Sequence, residues 1–402
     1  MNEQIVLSDA PYGYERTDEL EREFVESAER LRVLDGWANP AKNGERELRA
    51  DLALEGGGVK GVGLVGAVLV LSEAGYTFPR VAGTSAGAIT ASLVASISQT
   101  GRDMTLLNEF WRTLDFQQFM PEGRLHELVG HAAGHAASHA AKLVTDLAIL
   151  TKREGIYSGD YLEEWLRPIL HEQLGIRTFG DLTITSDFDP DLSVSAGQRY
   201  RLVVYASDLT RSRLARLPWD FNTYGFDPDT QDPVTAVRAS MSVPFYFEPV
   251  HLEAREATVE VHGPGGTTTM VTFPAGTHTL VDGGLLTKFP IHSFDRADNL
   301  APRWPTIGVK LSQFRADYPA TTVRESAIAI ALRCLKTIMN EWDTISTHEN
   351  TVDRTIFVDN GGLSAMDFDL TKEQQDQLFL NGVRAATTFI IDAARQGGIP
   401  RR

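Results

Sequence analysis

The chain has 402 residues, of which 42% are hydrophobic and 23% charged, a composition that excludes disordered and fibrous classes. Its 38 Lys and Arg against 54 Asp and Glu give a net charge of −16, and without a long basic run it is a poor partner for nucleic acid, whose phosphates need clustered cations. The same charge provides no long-range attraction to anionic lipid, so any membrane contact must be local and apolar.

In chain order, the first twenty residues lack a basic leader and an apolar run, so no secretory signal is expected. The single cysteine, Cys334, leaves no internal disulfide framework and fits a cytoplasmic protein. Residues 17–34 predict an amphipathic helix, with Thr17 as its cap and Leu20, Phe24, Ala28 and Leu31 on one face. Gly36, Pro40 and Gly44 make residues 35–50 a loop. Residues 1–50 thus read as an N-terminal helical extension and residues 51–402 as the main domain.

Residues 51–71, DLALEGGGVKGVGLVGAVLVL, contain Asp51, Glu55, Lys60 and clustered glycines. A membrane span needs about 20 mostly apolar residues with few charges, so this stretch reads as strand, glycine loop and helix. A second such unit follows, FPRVAGT running into Ser85 and then AGAITASLVASIS. Two strand–turn–helix units in succession predict a parallel sheet covered by helices. Helices are expected over 125–150 and 158–174, strands at 201–209 and 278–284, and a hairpin excursion within 251–280. Beyond it, TIGVKL predicts a strand and 322–342 a helix with Ile328, Leu332, Leu335, Met339 and Trp342 on one face. TIFVD (355–359) is a short strand, and the last helix starts at Thr371 with Gln374 completing a capping box.

Three blocks carry chemistry. Gly83-Thr84-Ser85-Ala86-Gly87 is a G-x-S-x-G between a strand and a helix. A serine on so tight a turn needs small neighbours, and the turn presents its hydroxyl at the strand end, above the N-terminus of the next helix. Glu55-Gly56-Gly57-Gly58-Val59-Lys60-Gly61 lets backbone N–H groups converge on an oxyanion or a phosphate. A P-loop needs Ser or Thr after its lysine, and here Gly61 follows Lys60. Gly61 to Gly66 also spells G-x-G-x-x-G, but no acidic residue ends the next strand to hold a ribose, which disfavours a dinucleotide. Asp282-Gly283-Gly284, an acid at a strand end beside two glycines, supplies a candidate base.

Other clusters are discounted. His131, His135 and His139 recur at helical spacing after His126, but nothing acidic completes a zinc site. Asp187, Asp189 and Asp191 resemble the start of a calcium loop, yet Leu192 stands where glycine is required and Gln198 where the closing Glu belongs. No metal or other cofactor is expected.

With GGGVKG, GTSAG and DGG in this order, the chain resembles the patatin-like phospholipase family. Softer matches are YASDL (205–209), RASMSVPFYFEPV (238–250) and DFDLTKEQ (367–374), and the likeness covers roughly residues 50–395. The resemblance implies an α/β fold of three layers, with a mostly parallel central sheet flanked by helices. It implies a lipid acyl hydrolase acting through a Ser85–Asp282 dyad without histidine. It assigns the oxyanion hole to the loop Gly56, Gly57 and Gly58, and supporting positions to Lys60, Gly61, Gly83, Gly87, Gly283 and Gly284. A phospholipid or other acyl lipid would be the substrate, met through peripheral membrane contact. Two rival readings stay open: an α/β-hydrolase-type esterase with a base such as His292 or His348, and a lipid-binding protein with little turnover. Residues 125–150, rich in Ala and Leu, read as a packing helix or as a lid over the cleft.

Overall fold

Strands apolar on both faces belong inside a sheet covered on both sides. Asp51–Leu54 (β1), Val81–Thr84 (β2), Leu202–Asp208 (β3) and Thr306–Lys310 (β7) are such strands, buried at every residue. The computed structural model describes residues 4–39, 44–119, 155–184, 199–262, 267–296, 302, 304–311, 337, 349–363, 365 and 367–401. It assembles these strands with Arg213–Leu217 (β4), Val250–Ala254 (β5), Gly276–Asp282 (β6) and Thr355–Phe357 (β8) into one mixed sheet. The order is β5-β6-β3-β2-β1-β7-β8, with β4 folded back on β3. From β3 to β8 every neighbour is parallel, while β4, β5 and β6 join antiparallel. This is the expected α/β architecture, a mostly parallel sheet flanked by helices.

Alternation along the strands divides the core. Leu52, Leu54, Val81, Leu202 and Val204 enter the main core, and Ala53, Ala82, Val203 and Tyr205 meet Phe289, Ile291 and Phe294 in two smaller clusters. Against the main-core side pack Val62–Glu73 (α2), Ala86–Thr100 (α3) and Pro233–Ser240 (α4). Lys372–Gln396 (α5) packs chiefly on α2 and also touches β8 and Ile5–Leu7. Helix α2 is apolar on all sides because it lies between sheet and α5, with every residue from Gly63 to Leu71 buried. Among the described residues no helix is long and apolar enough to cross a membrane.

The contact between α2 and α5 explains the dinucleotide-like glycine spacing. A Cβ on Gly66 would stand 2.2 Å from the Phe379 carbonyl oxygen, and one on Gly382 would stand 2.0 Å from that of Gly63. These glycines let two helix backbones touch, and they face protein rather than a ligand.

The first fifty residues hold the expected helix, Asp18–Asp35 (α1), and several short strands besides. Ile5–Leu7 pairs with Tyr14–Arg16, and Glu45–Arg49 lies between Trp37–Asn39 and Tyr76–Thr77. Thr17 occupies the N-cap position, but its side chain makes no cap bond. Arg16 is buried against Glu73 at 2.8 Å and Glu21 at 2.9 Å, which ties this segment to α2. At the other end, Thr371 and Gln374 form the expected capping box of α5. The excursion within 251–280 contains the hairpin Ala257–His262 with Thr268–Phe273. Residues 125–150, Cys334 and nearly all of the helix expected at 322–342 lie outside the described residues.

Overpacking a close helix contact typically costs about 1–3 kcal/mol. Gly66→Ala is therefore expected to lower stability by about that amount in urea unfolding, and an unchanged midpoint would show that α2 and α5 separate freely.

Candidate active site

Ser85 sits where β2 ends and α3 begins, at φ 53° and ψ −126°. A non-glycine residue rarely adopts positive φ, and such strain persists only where the surroundings impose it. The flanking glycines show how they impose it. A Cβ on Gly83 would lie 2.2 Å from the Gly87 carbonyl oxygen, and one on Gly87 would lie 2.2 Å from that of Leu54. Only bare backbone lets the turn close this tightly over β1. The first N–H groups of α3 follow at once, and such groups have no intrahelical acceptor.

Strand β3 sets where Asp282 arrives. Thr84 of β2 is opposite Tyr205, and Asp282 of β6 is opposite Ala206, the next residue of the same strand. A Cβ on Gly283 would stand 2.2 Å from the Tyr205 carbonyl oxygen, so the DGG turn also needs its bare backbone. The carboxylate is buried, and its Oδ1 accepts from the Gly284 N–H at 2.6 Å. Burial pushes the carboxyl up to about 6, against the pull of the Gly284 N–H, the Ser85 hydroxyl and the Lys288 ammonium. Oδ2 has no hydrogen-bond partner of good geometry among the described residues. Serine and acid are thus adjacent but loosely aligned, as catalytic pairs often are before substrate binds.

The glycine loop lies against this pair, since a Cβ on Gly56 would stand 3.1 Å from that of Ser85. The Gly56 N–H donates to the Lys288 carbonyl at 2.9 Å. That corrects one expectation: Gly56 is in the loop, but its donor is already committed. Val59 and Lys60 are also engaged, donating to Ala365 and Gly57 carbonyls at 3.2 Å each, which leaves the N–H groups of Gly57 and Gly58 facing no acceptor among the described residues. Gly58 has φ +55°, and a Cβ there would meet the Ala365 carbonyl oxygen at 1.9 Å, so both its dihedral and its space require glycine.

Beneath the loop is a buried charge cluster. Glu55 takes the Leu311 N–H on Oε2, and its Oε1 is 3.5 Å from Lys310 Nζ and 3.6 Å from Lys288 Nζ. Burial would raise its carboxyl, but Lys288, Lys310 and Lys60 outweigh that and hold it below the usual range. Lys60, expected as a supporting residue, therefore lies within this cluster, and Gly61 packs under Trp111 and Ala86.

Ser85, Asp282, Gly57, Gly58, Lys60 and Lys288 share the wall of a cavity of about 610 Å3. Its remaining wall is mostly apolar and includes the aromatic residues Trp111, Phe116, Phe119, Phe247 and Phe368. Sequence reasoning missed this wall and Lys288. Aromatic residues far apart in the chain carry no local signal, and Lys288 is legible only through its short distance in sequence from Asp282-Gly283-Gly284. None of the described histidines lines the cavity. His292 is exposed and bonded to Asp295 at 2.6 Å, and His278 is buried on Asp208 at 2.9 Å. His348 lies outside the described residues, as do His126, His131, His135 and His139 and the Asp187–Asp191 run.

Comparison with known proteins places these features in a family. The sequence pattern of patatin-like phospholipases matches residues 52–295. A protein of Bacillus subtilis (strain 168), uncharacterized protein YqhO, is 31% identical over 340 residues, covering 85% of this chain and 97% of that one. Among solved structures, VipD from Legionella pneumophila aligns with a TM-score of 0.43 and 15% identity, over 86% of this chain and 67% of VipD. The type III effector protein ExoU aligns with a TM-score of 0.38 and 18% identity, over 89% of this chain and 55% of ExoU. The matched range 52–295 takes in the glycine loop, Ser85 and Asp282, and the chain belongs to the patatin-like phospholipase family.

Proposed function

We propose that the chain is a serine lipid acyl hydrolase of phospholipase A or lysophospholipase type, with Ser85 as nucleophile and Asp282 as base. One observation carries the reading: a serine held at positive φ and a buried carboxylate with an open oxygen share the wall of one apolar cavity. The ester carbonyl of the substrate lies between Ser85 and the glycine loop, with its acyl chain along the aromatic wall. Asp282 takes the hydroxyl proton as Ser85 Oγ bonds to the carbonyl carbon. The N–H groups of Gly57 and Gly58 stabilise the resulting oxyanion. The tetrahedral intermediate then expels the alcohol, which leaves with the proton held by Asp282. Water, deprotonated by the same carboxylate, cleaves the acyl-enzyme and releases the fatty acid. These steps use no metal or other cofactor.

Lysines 60 and 288 keep the polar end of the cavity cationic, which suits a site where negative charge develops. The substrate resides in membranes, so the protein meets it by peripheral contact at the lipid surface. The rival esterase mechanism needs an imidazole at Ser85, and His278 and His292 are engaged with Asp208 and Asp295.

Replacing either member of such a pair should cost at least about 1,000-fold in turnover. Ser85→Ala and Asp282→Asn are expected to show this loss in ester hydrolysis with native-like circular dichroism, and Ser85→Ala also to lose fluorophosphonate labelling. A histidine variant as inactive as these beside a near-normal Asp282→Asn would point to the rival base.

A base must be ionised in the free enzyme. With Asp282 at about 6, kcat/KM should fall as pH drops through about 6, because protonation removes the acceptor. Lys288 lowers this carboxyl, so Lys288→Gln should shift the acidic limb to higher pH, read from a kcat/KM profile. An unmoved limb would detach Lys288 from the base.

Removing one oxyanion donor typically costs about 100- to 1,000-fold in turnover. Gly58→Ala forces the loop away from Ala365 and should lose that much, with a native acyl-ester KM measured beside kcat. Full activity would locate the oxyanion donors elsewhere.

A further inference from the structure

We infer that Ser240 is a positioning residue, whose hydroxyl, with the Ser242 carbonyl two residues on, holds the main chain of Ser85 in register with that of Asp282. This inference rests on the Ser85–Asp282 reading proposed above. It concerns a segment outside the glycine loop, the elbow and the DGG turn.

The Ser85 amide has an unusual need. Its residue follows the last β2 pairing, so the parallel ladder offers no acceptor, and it precedes α3, so no helix carbonyl does either. A buried N–H without a partner is costly, and the elbow's positive φ adds strain that must be opposed. Ser240 meets both needs. It is fully buried at the end of α4, its Oγ accepts from the Ser85 N–H at 2.9 Å, and it donates to the Tyr205 carbonyl at 2.6 Å. Tyr205 is the β3 residue opposite Thr84. The hydroxyl therefore fastens the nucleophile's backbone to the strand that also pairs with the base.

The base is fastened from the same place. The Asp282 N–H donates to the Ser242 carbonyl at 2.9 Å. Residues 240–242 thus touch the backbones of both reacting residues. The segment is itself anchored at both ends of α4. Asp232 caps the helix start by accepting from the Val234 N–H at 2.8 Å. Near its end, the buried Arg238 guanidinium donates to Ser242 Oγ, to the Ser158 carbonyl, and to the Glu248 carbonyl at 2.9 Å. Without the Ser240 hydroxyl, the Ser85 N–H loses its acceptor and the Tyr205 carbonyl loses this donor. The elbow would then relax toward ordinary dihedrals and carry Oγ off the line to Asp282 and the ester carbon. A misplacement of about 1 Å can cost about 100-fold in rate.

The rival account is that Ser240 is only one more buried hydroxyl, like Ser92, whose Oγ donates to the Ile89 carbonyl at 2.8 Å within α3. A graded series separates the two. Native protein, Ser240→Cys, Ser240→Ala, Ser92→Ala and Ser85→Ala are compared on a p-nitrophenyl acyl ester and a fluorophosphonate, with thermal melting beside each. If native protein neither labels nor turns over, the function reading itself has failed. With native activity present, kcat and labelling rate should fall in the order Ser, Cys, Ala at position 240. The Ala variant should lie about 30- to 100-fold down with KM within about twofold, while Ser92→Ala keeps native kcat. Native kcat in Ser240→Ala overturns the inference, and so does a loss matched by Ser92→Ala at equal melting temperature. Should Ser240→Ala fail to fold, the near-isosteric Cys variant decides alone, because its weaker hydrogen bond must lower kcat and native kcat would refute the role.

Discussion

Strand β3 is the constraint on which the rest of the site depends. It is buried along its whole length and has β2 parallel to it and β6 antiparallel to it. Because register on a two-sided buried strand is strongly specified, these pairings leave little freedom in where the two neighbouring strands end. One ends at Thr84, facing Tyr205, and the other at Asp282, facing Ala206. Ser85 and Asp282, almost 200 residues apart in sequence, therefore meet as a consequence of sheet pairing. Ser240 attaches to Tyr205, so helix α4 consults the same strand.

Close approach is the second theme, and glycine is how the chain achieves it. The elbow, the DGG turn and the glycine loop each put backbone where a Cβ would lie within 2.2 Å of a carbonyl oxygen. The contact of α2 with α5 uses the same device for packing alone. A glycine pattern in this chain thus reports that two backbones touch, and the neighbour decides whether the result is chemistry or core.

This bears on what was legible in the sequence. Ser85, Asp282 and the glycine loop could be read because each is a contiguous block with a stereochemical demand that few residues satisfy. The strands β1 and β2, each running into a glycine turn and an apolar helix, and the capped α5 were legible for similar reasons, their signals being local. Gly56 shows the limit. Its missing side chain is visible in the sequence, but the Lys288 carbonyl that takes its N–H is not. The blocks 238–250 and 367–374 were visible, but the roles of Ser240 and the aromatic wall were not, because a serine at a helix end, or a phenylalanine, acquires its role only from partners far along the chain. The strands of residues 1–50 escaped notice because three to five residues are too few to show a period.

The charge cluster under the glycine loop has a consequence for how the protein responds to its medium. Glu55 is fully enclosed, and Lys310 is nearly so. Dissolved ions screen exposed charges over about 8 Å at physiological ionic strength but reach buried pairs far less. Surface carboxylates such as Glu15, Asp18, Glu19, Glu26 and Glu29 are of the opposite kind, exposed to water and counterions. Added salt therefore weakens the interactions of those surface carboxylates while leaving the field beneath the glycine loop almost as it was. Ionic strength thus acts on the outside of the chain and hardly at all on the charges enclosed beside Ser85 and Asp282.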